Sequence, residues 1–375
     1  MNQQNLNLFN PENDLALAIG CRHYTPPPHA AALHRAGALL PAWWSETDDM
    51  ILAPSDYAED AIWLKSHWGL SCNLSSINQP DTSNLHPQPW GWSEDACRQF
   101  SSAGIAGINL PSDETIATLR RLSHRRSSII ILQELDIDNL LPEEVTNPDR
   151  VLALESESPG RYIKSPWSCS GRGVFCTTGL PSDVLRTRVQ GIINRQGSVM
   201  VEKGLYKITD FASLFYSDGT KVEFRGLSLF LAEQRGLYTG NIVAPQEYIY
   251  NYLAEKFSSS QGASLSSLSL PTVISNLERI LSALIIPHYQ GWLGIDMMIY
   301  RDRNGSMNLH PCIELNLRRT MGVTAMHIAA RLSVTTPYLL TWHHARTAAP
   351  KPEFHPDTIL LPTRDNFTLT LTSFK

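Results

Sequence analysis

A hairpin in the last third of the sequence places acidic and amide side chains where they could bind a metal ion. Residues 294–319 read GIDMMIYRDRNGSMNLHPCIELNLRR, with an Asn-Gly pair between two alternating segments, which is a strong signal for a tight turn. Glu314 and Asn316 share one face of the predicted second strand because they are two residues apart. Counting back across the turn puts Asp296 opposite Ile313 or Glu314, depending on loop type or on a one-residue bulge.

The oxygen atoms of these three side chains are the ligands that Mg²⁺ takes when it also binds phosphates. Arg318 and Arg319 follow directly and could contact phosphate or carboxylate oxygens. The alternative interpretation is a surface hairpin, with charged residues in solvent and Ile313, Leu315 and Leu317 buried on the other face. The segment alone does not decide between the two.

Two further segments carry weaker signals. In RYIKSPWSCSGRGVF (161–175) an apolar strand delivers Lys164 to a loop of small residues, whose backbone N–H groups could approach phosphate oxygens closely. A tight surface turn is the competing interpretation, since the Walker pattern is absent. In VMVEKGL (199–205) an apolar strand ends in Glu202 and Lys203, which alone is typical of a buried strand.

In this order the three segments resemble the ATP-grasp superfamily, in particular its D-alanine–D-alanine ligase and carboxylate–amine ligase branches. The shared pattern is a strand-borne Lys before a glycine-containing loop, an apolar strand ending Glu-Lys, an Asp strand and a Glu-x-Asn strand. The opening FNPENDLALA also resembles a group of uncharacterised bacterial ATP-grasp-like proteins. The ATP-grasp resemblance covers roughly residues 116–335.

The resemblance implies roles for individual residues. Asp296, Glu314 and Asn316 would be the Mg²⁺ ligands, and Lys164 would contact the α- and β-phosphates of ATP. Arg125 lies where many members carry an earlier phosphate-binding Lys, and Arg126 is the other option at that place. The residues implicated in nucleotide binding are Arg125, Lys164, Ser168, Ser170, Gly171, Gly173, Glu202, Lys203, Leu205 and Asp210.

The activity that the resemblance implies is an Mg·ATP-dependent ligase, in which a carboxylate becomes an acyl phosphate and an amine or thiol displaces phosphate. Two departures from the dipeptide-ligase branch put its substrate in question: Gly294 replaces an Arg, and residues 317–320 replace Thr-x-Pro-Gly. Arg318 is then the candidate for stabilising the oxyanion, with Lys164 as the other catalytic residue. A small-molecule kinase and a non-catalytic nucleotide-binding protein are the alternatives.

The expected fold is α/β, with a parallel-sheet N-terminal domain before a two-lobed ATP-grasp domain of α+β lobes. Its predicted domains are residues 1–115, 116–345 (lobes of about 116–202 and 203–345) and a tail, 346–375. Val151–Leu154 is predicted as a strand. In the first domain Asn10, Glu12 and Asp14 follow the first strand, where an acid could hold a substrate amine; helix capping is the alternative.

Composition limits the partners of the chain. Its 375 residues carry a net charge of −5, which argues against nucleic acid as the main partner. Six scattered cysteines without a CxxC pair predict free thiols, and the N-terminus lacks the pattern of a signal peptide. We therefore expect a cytoplasmic protein, not bound to a membrane, that takes a small-molecule carboxylate and a nucleophilic co-substrate. A homodimer is compatible with the sequence.

Overall fold

The computed structural model describes residues 4–75, 84–169, 171, 173–233, 237–258, 269–345 and 355–374. Packing divides the chain into two compact units. The first contains Met1–Arg120, Gly240–Pro245 and Arg318–Lys375, and the second contains Arg121–Thr239 and Gln246–Leu317. The units are discontinuous in sequence because the chain returns to the first unit twice.

Helices and strands alternate in the first part of the described chain, and long strands dominate after it. The helices are α1 (Asn13–Ile19), α2 (Pro28–Ala36), α3 (Ala58–Trp68), α4 (Glu94–Ser102), α5 (Asp113–Leu122), α6 (Ser127–Glu134), α7 (Pro148–Glu157), α8 (Ser182–Gln196), α9 (Gln246–Ser258), α10 (Leu270–Ile285) and α11 (Met321–Arg331). The strands are β1 (Asn5–Leu8), β2 (Met50–Leu52), β3 (Asn73–Ser75), β4 (His86–Pro89), β5 (Glu143–Val145), β6 (Tyr162–Lys164), β7 (Val174–Cys176), β8 (Val199–Glu202), β9 (Tyr206–Ser217), β10 (Val222–Ala232), β11 (Tyr238–Val243), β12 (Gly291–Arg301), β13 (Met307–Asn316), β14 (Tyr338–His344) and β15 (Phe367–Ser373).

The first unit contains a parallel sheet in the order β3-β2-β1-β4, as the alternating βα pattern predicts. Buried apolar side chains on β1 and β2 pack under the helices, with Phe9, Trp43 and Ile51 in the core. In doubly wound sheets, the loops after the strands carry ligand contacts. The segment from Asn10 to Asp14 leaves β1 at this position and leads into α1.

Part of the segment predicted as a C-terminal tail is a strand of the first unit. Residues 367–373 form β15, which pairs antiparallel with β14. The sequence FTLTLTS alternates, so that Leu369 and Leu371 point into the core, where they are 0% and 7% exposed. This alternation is a signal for a strand, and the interpretation of residues 346–375 as a tail did not take it into account.

The second unit contains two sheets. The smaller has the order β5-β8-β6-β7, and α7 and α8 pack on it around Ile163, Val189 and Val201. The larger is antiparallel, with β13, β12, β9 and β10 as successive neighbours in this unit. Helices α9 and α10 contact β10, and α6 contacts β13. The predicted α/β fold, with a parallel N-terminal sheet and lobes that combine helices with antiparallel strands, is confirmed.

The strand predicted over Val151–Leu154 is wrong, because these residues lie in helix α7. Asn147 caps this helix by accepting a hydrogen bond from the backbone N–H of Asp149, and Pro148 occupies its first turn. Val151 and Leu154 are three residues apart and are both buried, which is helical spacing.

No helix of the described chain is both long and apolar enough to cross a membrane.

Candidate active site

The β12–β13 hairpin positions the predicted metal ligands. Asp296 lies directly opposite Glu314, one of its two predicted partners. The pairing next to the turn, with Arg301 opposite Met307, would place Asp296 opposite Cys312, so the register shift between Asp296 and Met298 amounts to two residues. At the turn, the Asp302 carboxylate accepts hydrogen bonds from the backbone N–H groups of Asn304 and Ser306, both at 2.9 Å. Glu314 is 18% exposed on its side chain.

Cys312 shows how closely the acids of the second unit converge. Its thiol is fully buried, two residues before Glu314 on β13. Burial raises its pKa, and the neighbouring carboxylates of Asp296, Glu314 and Glu202 raise it further, while Lys164 acts in the opposite direction. One or two residues from each of the three sequence motifs therefore act electrostatically on this thiol of β13.

Lys164 and Glu202 form an ion pair across the smaller sheet. Strands β6 and β8 are antiparallel neighbours, and the Lys164 Nζ atom lies 2.6 Å from Glu202 Oε2. The two side chains are only 10% and 15% exposed. Lys164 is also near His310 of β13: burial lowers the pKa of His310 to about 3, and Lys164 contributes to this shift.

Arg125 connects the predicted phosphate loop to the predicted metal strand. Its Nη1 atom donates to the Ser165 carbonyl at 2.6 Å and to Ser168 Oγ at 2.8 Å. Its Nη2 atom donates to Glu314 Oε2 at 2.8 Å. Arg125 is 5% exposed, whereas Arg126 is 48% exposed and pairs with Glu144. Of the two candidates, Arg125 is the one within the cluster.

The loop after β6 folds back on itself. The backbone N–H of Ser165 donates to the Gly173 carbonyl at 2.8 Å, and that of Val174 donates to the Gly171 carbonyl at 3.2 Å. A Cβ atom on Gly173 would lie 2.5 Å from the Cβ atom of Ser168, so this position requires glycine. The predicted phosphate-binding residue Ser170 lies outside the described residues.

Two of the remaining predicted nucleotide residues, Lys203 and Asp210, have local partners. Lys203 Nζ donates to the Asn139 carbonyl at 2.9 Å and is exposed. Lys207 Nζ donates to Asp210 at 2.6 Å, and Asp210 lies opposite Met298 on the neighbouring strand β12. Leu205 follows the end of β8, before β9 begins. Their roles in nucleotide binding remain predictions.

Arg318 belongs to the first unit, where it forms an ion pair with the acid Asp14. The Arg318 Nε atom donates to Asp14 Oδ2 at 2.8 Å, and each side chain is 13% exposed. Asn10 exchanges two hydrogen bonds with the backbone of Gly91, at 2.8 and 3.2 Å. Glu12 is the N-cap residue of α1, without a side-chain capping bond. Asn10 thus holds the loop to the β4 end and does not cap α1.

The oxygen donors of the second unit suit Mg²⁺ if phosphate oxygens complete its coordination. Among the described residues, no group of three or more His, Cys, Asp or Glu side chains is placed to hold a metal ion. Two opposed carboxylates with the amide of Asn316, which is 7% exposed, make an open set of this kind. Sequence reasoning missed His310 and Cys312. They lie four and two residues before Glu314 on β13, and in a strand this spacing was the signal that could have pointed to them.

The second unit thus contains a lysine on its smaller sheet, opposed acids on its antiparallel sheet and a glycine-containing loop after β6. The solved structure of biotin carboxylase from Campylobacter jejuni, in a β-γ-ATP complex, is similar to this chain, with a TM-score of 0.52. Sequence identity is 11%, and the match covers 99% of this chain and 87% of that one. At this identity the similarity shows the fold alone, and it confirms the predicted ATP-grasp fold.

Two other solved structures are similar at lower scores. The biotin carboxylase domain of the 2-oxoglutarate carboxylase from Hydrogenobacter thermophilus has a TM-score of 0.46 and 10% identity, covering 100% of this chain and 87% of that one. The D-alanyl-alanine synthetase A from Vibrio cholerae has a TM-score of 0.41 and 13% identity, covering 89% and 94%. No family model and no curated protein sequence matches the chain.

Proposed function

We propose that the chain is an Mg·ATP-dependent ligase that joins a carboxylate to an amine or a thiol through an acyl phosphate, giving ADP and phosphate. The observation that carries the proposal is the convergence of Lys164, Glu202, Asp296 and Glu314 in the second unit. Phosphoryl transfer from ATP requires cations that contact the phosphate oxygens, and it requires oxygen ligands that hold a metal ion.

Asp296, Glu314 and Asn316 are the residues that would hold Mg²⁺. When bound there, the metal ion neutralises negative charge on the phosphates of ATP. The chain's own cations have a complementary role. Lys164 is held at the end of β6 by its ion pair with Glu202, and Arg125 by three hydrogen bonds, so both are positioned before any ligand arrives.

Arg318 is the proposed donor to the oxyanion that forms when the nucleophile attacks. Its guanidinium group keeps a fixed orientation because Nε donates to Asp14 and Nη1 donates to the Arg319 carbonyl. A positive charge held in this way needs little reorganisation during the reaction. Arg318 therefore offers a positive charge on a guanidinium group whose orientation is fixed.

We propose a cytoplasmic enzyme, which agrees with cysteines that are all free thiols. A homodimer is part of the same proposal.

Calorimetry of Mg·ATP binding tests the nucleotide site. We compare the wild type with Glu314→Gln/Asn316→Ala, and we use Glu157→Gln/Asn194→Ala as a control that makes the same two changes at exposed positions of the second unit. The first variant should lose the Mg²⁺-dependent part of ATP affinity, by at least about tenfold or 1.4 kcal/mol. The control should bind as the wild type does.

A wild type that binds no ATP at any Mg²⁺ concentration would contradict the proposal. The next step is a screen of carboxylates for ADP release, with hydroxylamine present to trap the acyl phosphate as a hydroxamate. Hydroxamate formation supports a ligase. A phosphorylated hydroxyl compound as the product would identify a kinase instead.

A further inference from the structure

One face of the larger sheet in the second unit carries two neighbouring rows of side chains. Asp296 of β12 lies opposite Glu314 of β13, in the row of the proposed metal ligands. Two residues further along β12, Met298 lies opposite His310 of β13 on one side and opposite Asp210 of β9 on the other. Residues that are directly opposite each other, or two apart on one strand, point to the same face, so the two rows share one side of the sheet.

This face of the sheet is the one that a ligand can reach. Asp296 and Met298 are partly exposed, whereas Ile295, Met297 and Ile299, which point the other way, are at most 1% exposed. The two rows are separated by about 7 Å, since a strand rises about 3.4 Å per residue. A ligand whose phosphates and metal ion occupy the first row therefore extends over the second row with the adjoining part of its structure.

The Nδ1 atom of His310 is buried, and no described residue forms a hydrogen bond with it. His310 is 5% exposed, and burial lowers its pKa to about 3, with a further contribution from Lys164, so the ring is neutral at neutral pH. Asp210, in the same row, accepts a hydrogen bond from Lys207 Nζ at 2.6 Å. Buried polar atoms of native proteins bond to a protein group, to water or to a ligand. His310 thus presents a polar atom of this row to a ligand.

The surroundings of His310 favour an uncharged partner for Nδ1. An anion within hydrogen-bond distance would favour the protonated ring, whereas burial and the neighbouring Lys164 favour the neutral ring. In a neutral imidazole one nitrogen donates and the other accepts. A hydroxyl group both donates and accepts, so it completes the bond of Nδ1 whichever nitrogen carries the hydrogen.

ATP carries its hydroxyl groups on the ribose, which is bonded to the α-phosphate, and Lys164, the proposed cation for the phosphates, acts electrostatically on His310. On the basis of the proposed ATP site, we propose that His310 holds a ribose hydroxyl through Nδ1 and makes the site selective for ribonucleotides over deoxyribonucleotides. No covalent bond changes in this step. The imidazole orients the sugar, while Lys164 and Arg125 contact the phosphates.

The proposed bond has a measurable consequence for affinity. Nδ1 is already removed from water and no described protein partner has to be displaced, so the bond should contribute at the upper end of the usual range, about tenfold in affinity. ATP should therefore bind about tenfold more tightly than the one of 2′-deoxy-ATP and 3′-deoxy-ATP that lacks the bonded hydroxyl.

Calorimetry of the three nucleotides with Mg²⁺ tests the inference on the wild type, His310→Leu, His310→Asn and His288→Leu. His288 is the matched control, since it is an exposed histidine of the same unit. Leucine removes both ring nitrogens and keeps an apolar side chain in the buried position. Asparagine keeps a polar atom bonded to Cγ, where Nδ1 is bonded in histidine, so it can restore the hydrogen bond.

We expect the wild type and His288→Leu to prefer ATP to one of the two analogues by about tenfold. In His310→Leu, ATP should bind about tenfold more weakly while that analogue binds as it does to the wild type, so the preference is lost. His310→Asn should retain part of the preference. If His310→Leu does not fold, NMR of wild type with ¹⁵N-labelled histidine decides, because the Nδ1 resonance of His310 should shift further with ATP than with the analogue.

Two outcomes would overturn the inference and leave the proposed ATP site in place. One is a wild type that binds ATP and both analogues with equal affinity. The other is a His310→Leu variant that keeps the preference, or that loses affinity equally for all three nucleotides, since His310 would then not act on a ribose hydroxyl. A wild type that binds none of the three at any Mg²⁺ concentration would remove the proposed function itself, a result visible before any variant is made.

Discussion

The ion pair between Arg125 and Glu314 gives a quantitative prediction about the second unit. Arg125 donates to the Ser165 carbonyl, to Ser168 Oγ and to Glu314 Oε2. Arg125→Met keeps much of the apolar volume and removes all three bonds. It leaves the carboxylate of Glu314, which is 18% exposed, without its cation.

Breaking a buried pair by removing one partner costs about 3–5 kcal/mol. Because Glu314 keeps some contact with solvent, we expect the lower end, about 3 kcal/mol. For a domain of 150–250 residues, each kcal/mol shifts the melting temperature by about 2–4 °C, so the melting transition of the second unit should fall by about 6–12 °C. Calorimetric thermal unfolding of the wild type and the variant measures this shift.

Arg186→Met is the matched control. Arg186 pairs with Asp149 in the same unit, but the two side chains are 50% and 65% exposed, so the loss should be about 0–1 kcal/mol. The double variant Arg125→Met/Glu314→Gln removes both charges and should recover part of the stability. If Arg125→Met loses no more than Arg186→Met, the buried pair does not stabilise the unit and the reasoning is refuted.

Two further predictions concern stability. The folded state disfavours protonation of His310, whose pKa is lowered to about 3, while the unfolded chain takes up that proton below its ordinary pKa of 6.5. The free energy of unfolding should therefore decrease as pH falls through this range. In His310→Leu the free energy of unfolding should depend less on pH. Urea unfolding at neutral and mildly acidic pH measures this free energy. Leu369→Ala, at a fully buried position of β15, should cost about 2–5 kcal/mol, whereas Ile108→Ala, at a residue 93% exposed, should stay within about 0.5 kcal/mol. Equal losses at these two positions would show that β15 is not part of the core.

The parts of the site that could be predicted from sequence are those that local geometry controls. The Asn-Gly turn and the two-residue alternation place Glu314 on the same face as Cys312, the residue that the turn register puts opposite Asp296. A two-residue shift between Asp296 and Met298 then brings Glu314 itself opposite Asp296. Lys164 and Glu202 each end a short apolar strand, and their pairing requires only that β6 and β8 be neighbours.

Contacts between distant residues could not be predicted in this way. Arg125 and Glu314 are 189 residues apart, and no pattern in the sequence connects them. Helix α7 was missed because its apolar run, Val151–Leu154, is too short for its period to be read, and the Asn-Pro-Asp start that specifies a helix precedes it. Glu12 was singled out as an acid after a strand, but its partner His34 lies on another helix.

The charges of the two units are arranged in different ways, and this difference bears on how each unit would take a ligand. In the second unit each described cation of the cluster is paired with an acid: Lys164 with Glu202 and Arg125 with Glu314. A ligand that carries both phosphates and a metal ion can bind there by exchanging partners, so that no buried charge is left uncompensated. In the first unit, Glu12 already has a buried oxygen without a donor. A donor that reaches this oxygen completes the bond without displacing a partner, whereas a ligand of the paired cations in the second unit must exchange one partner for another.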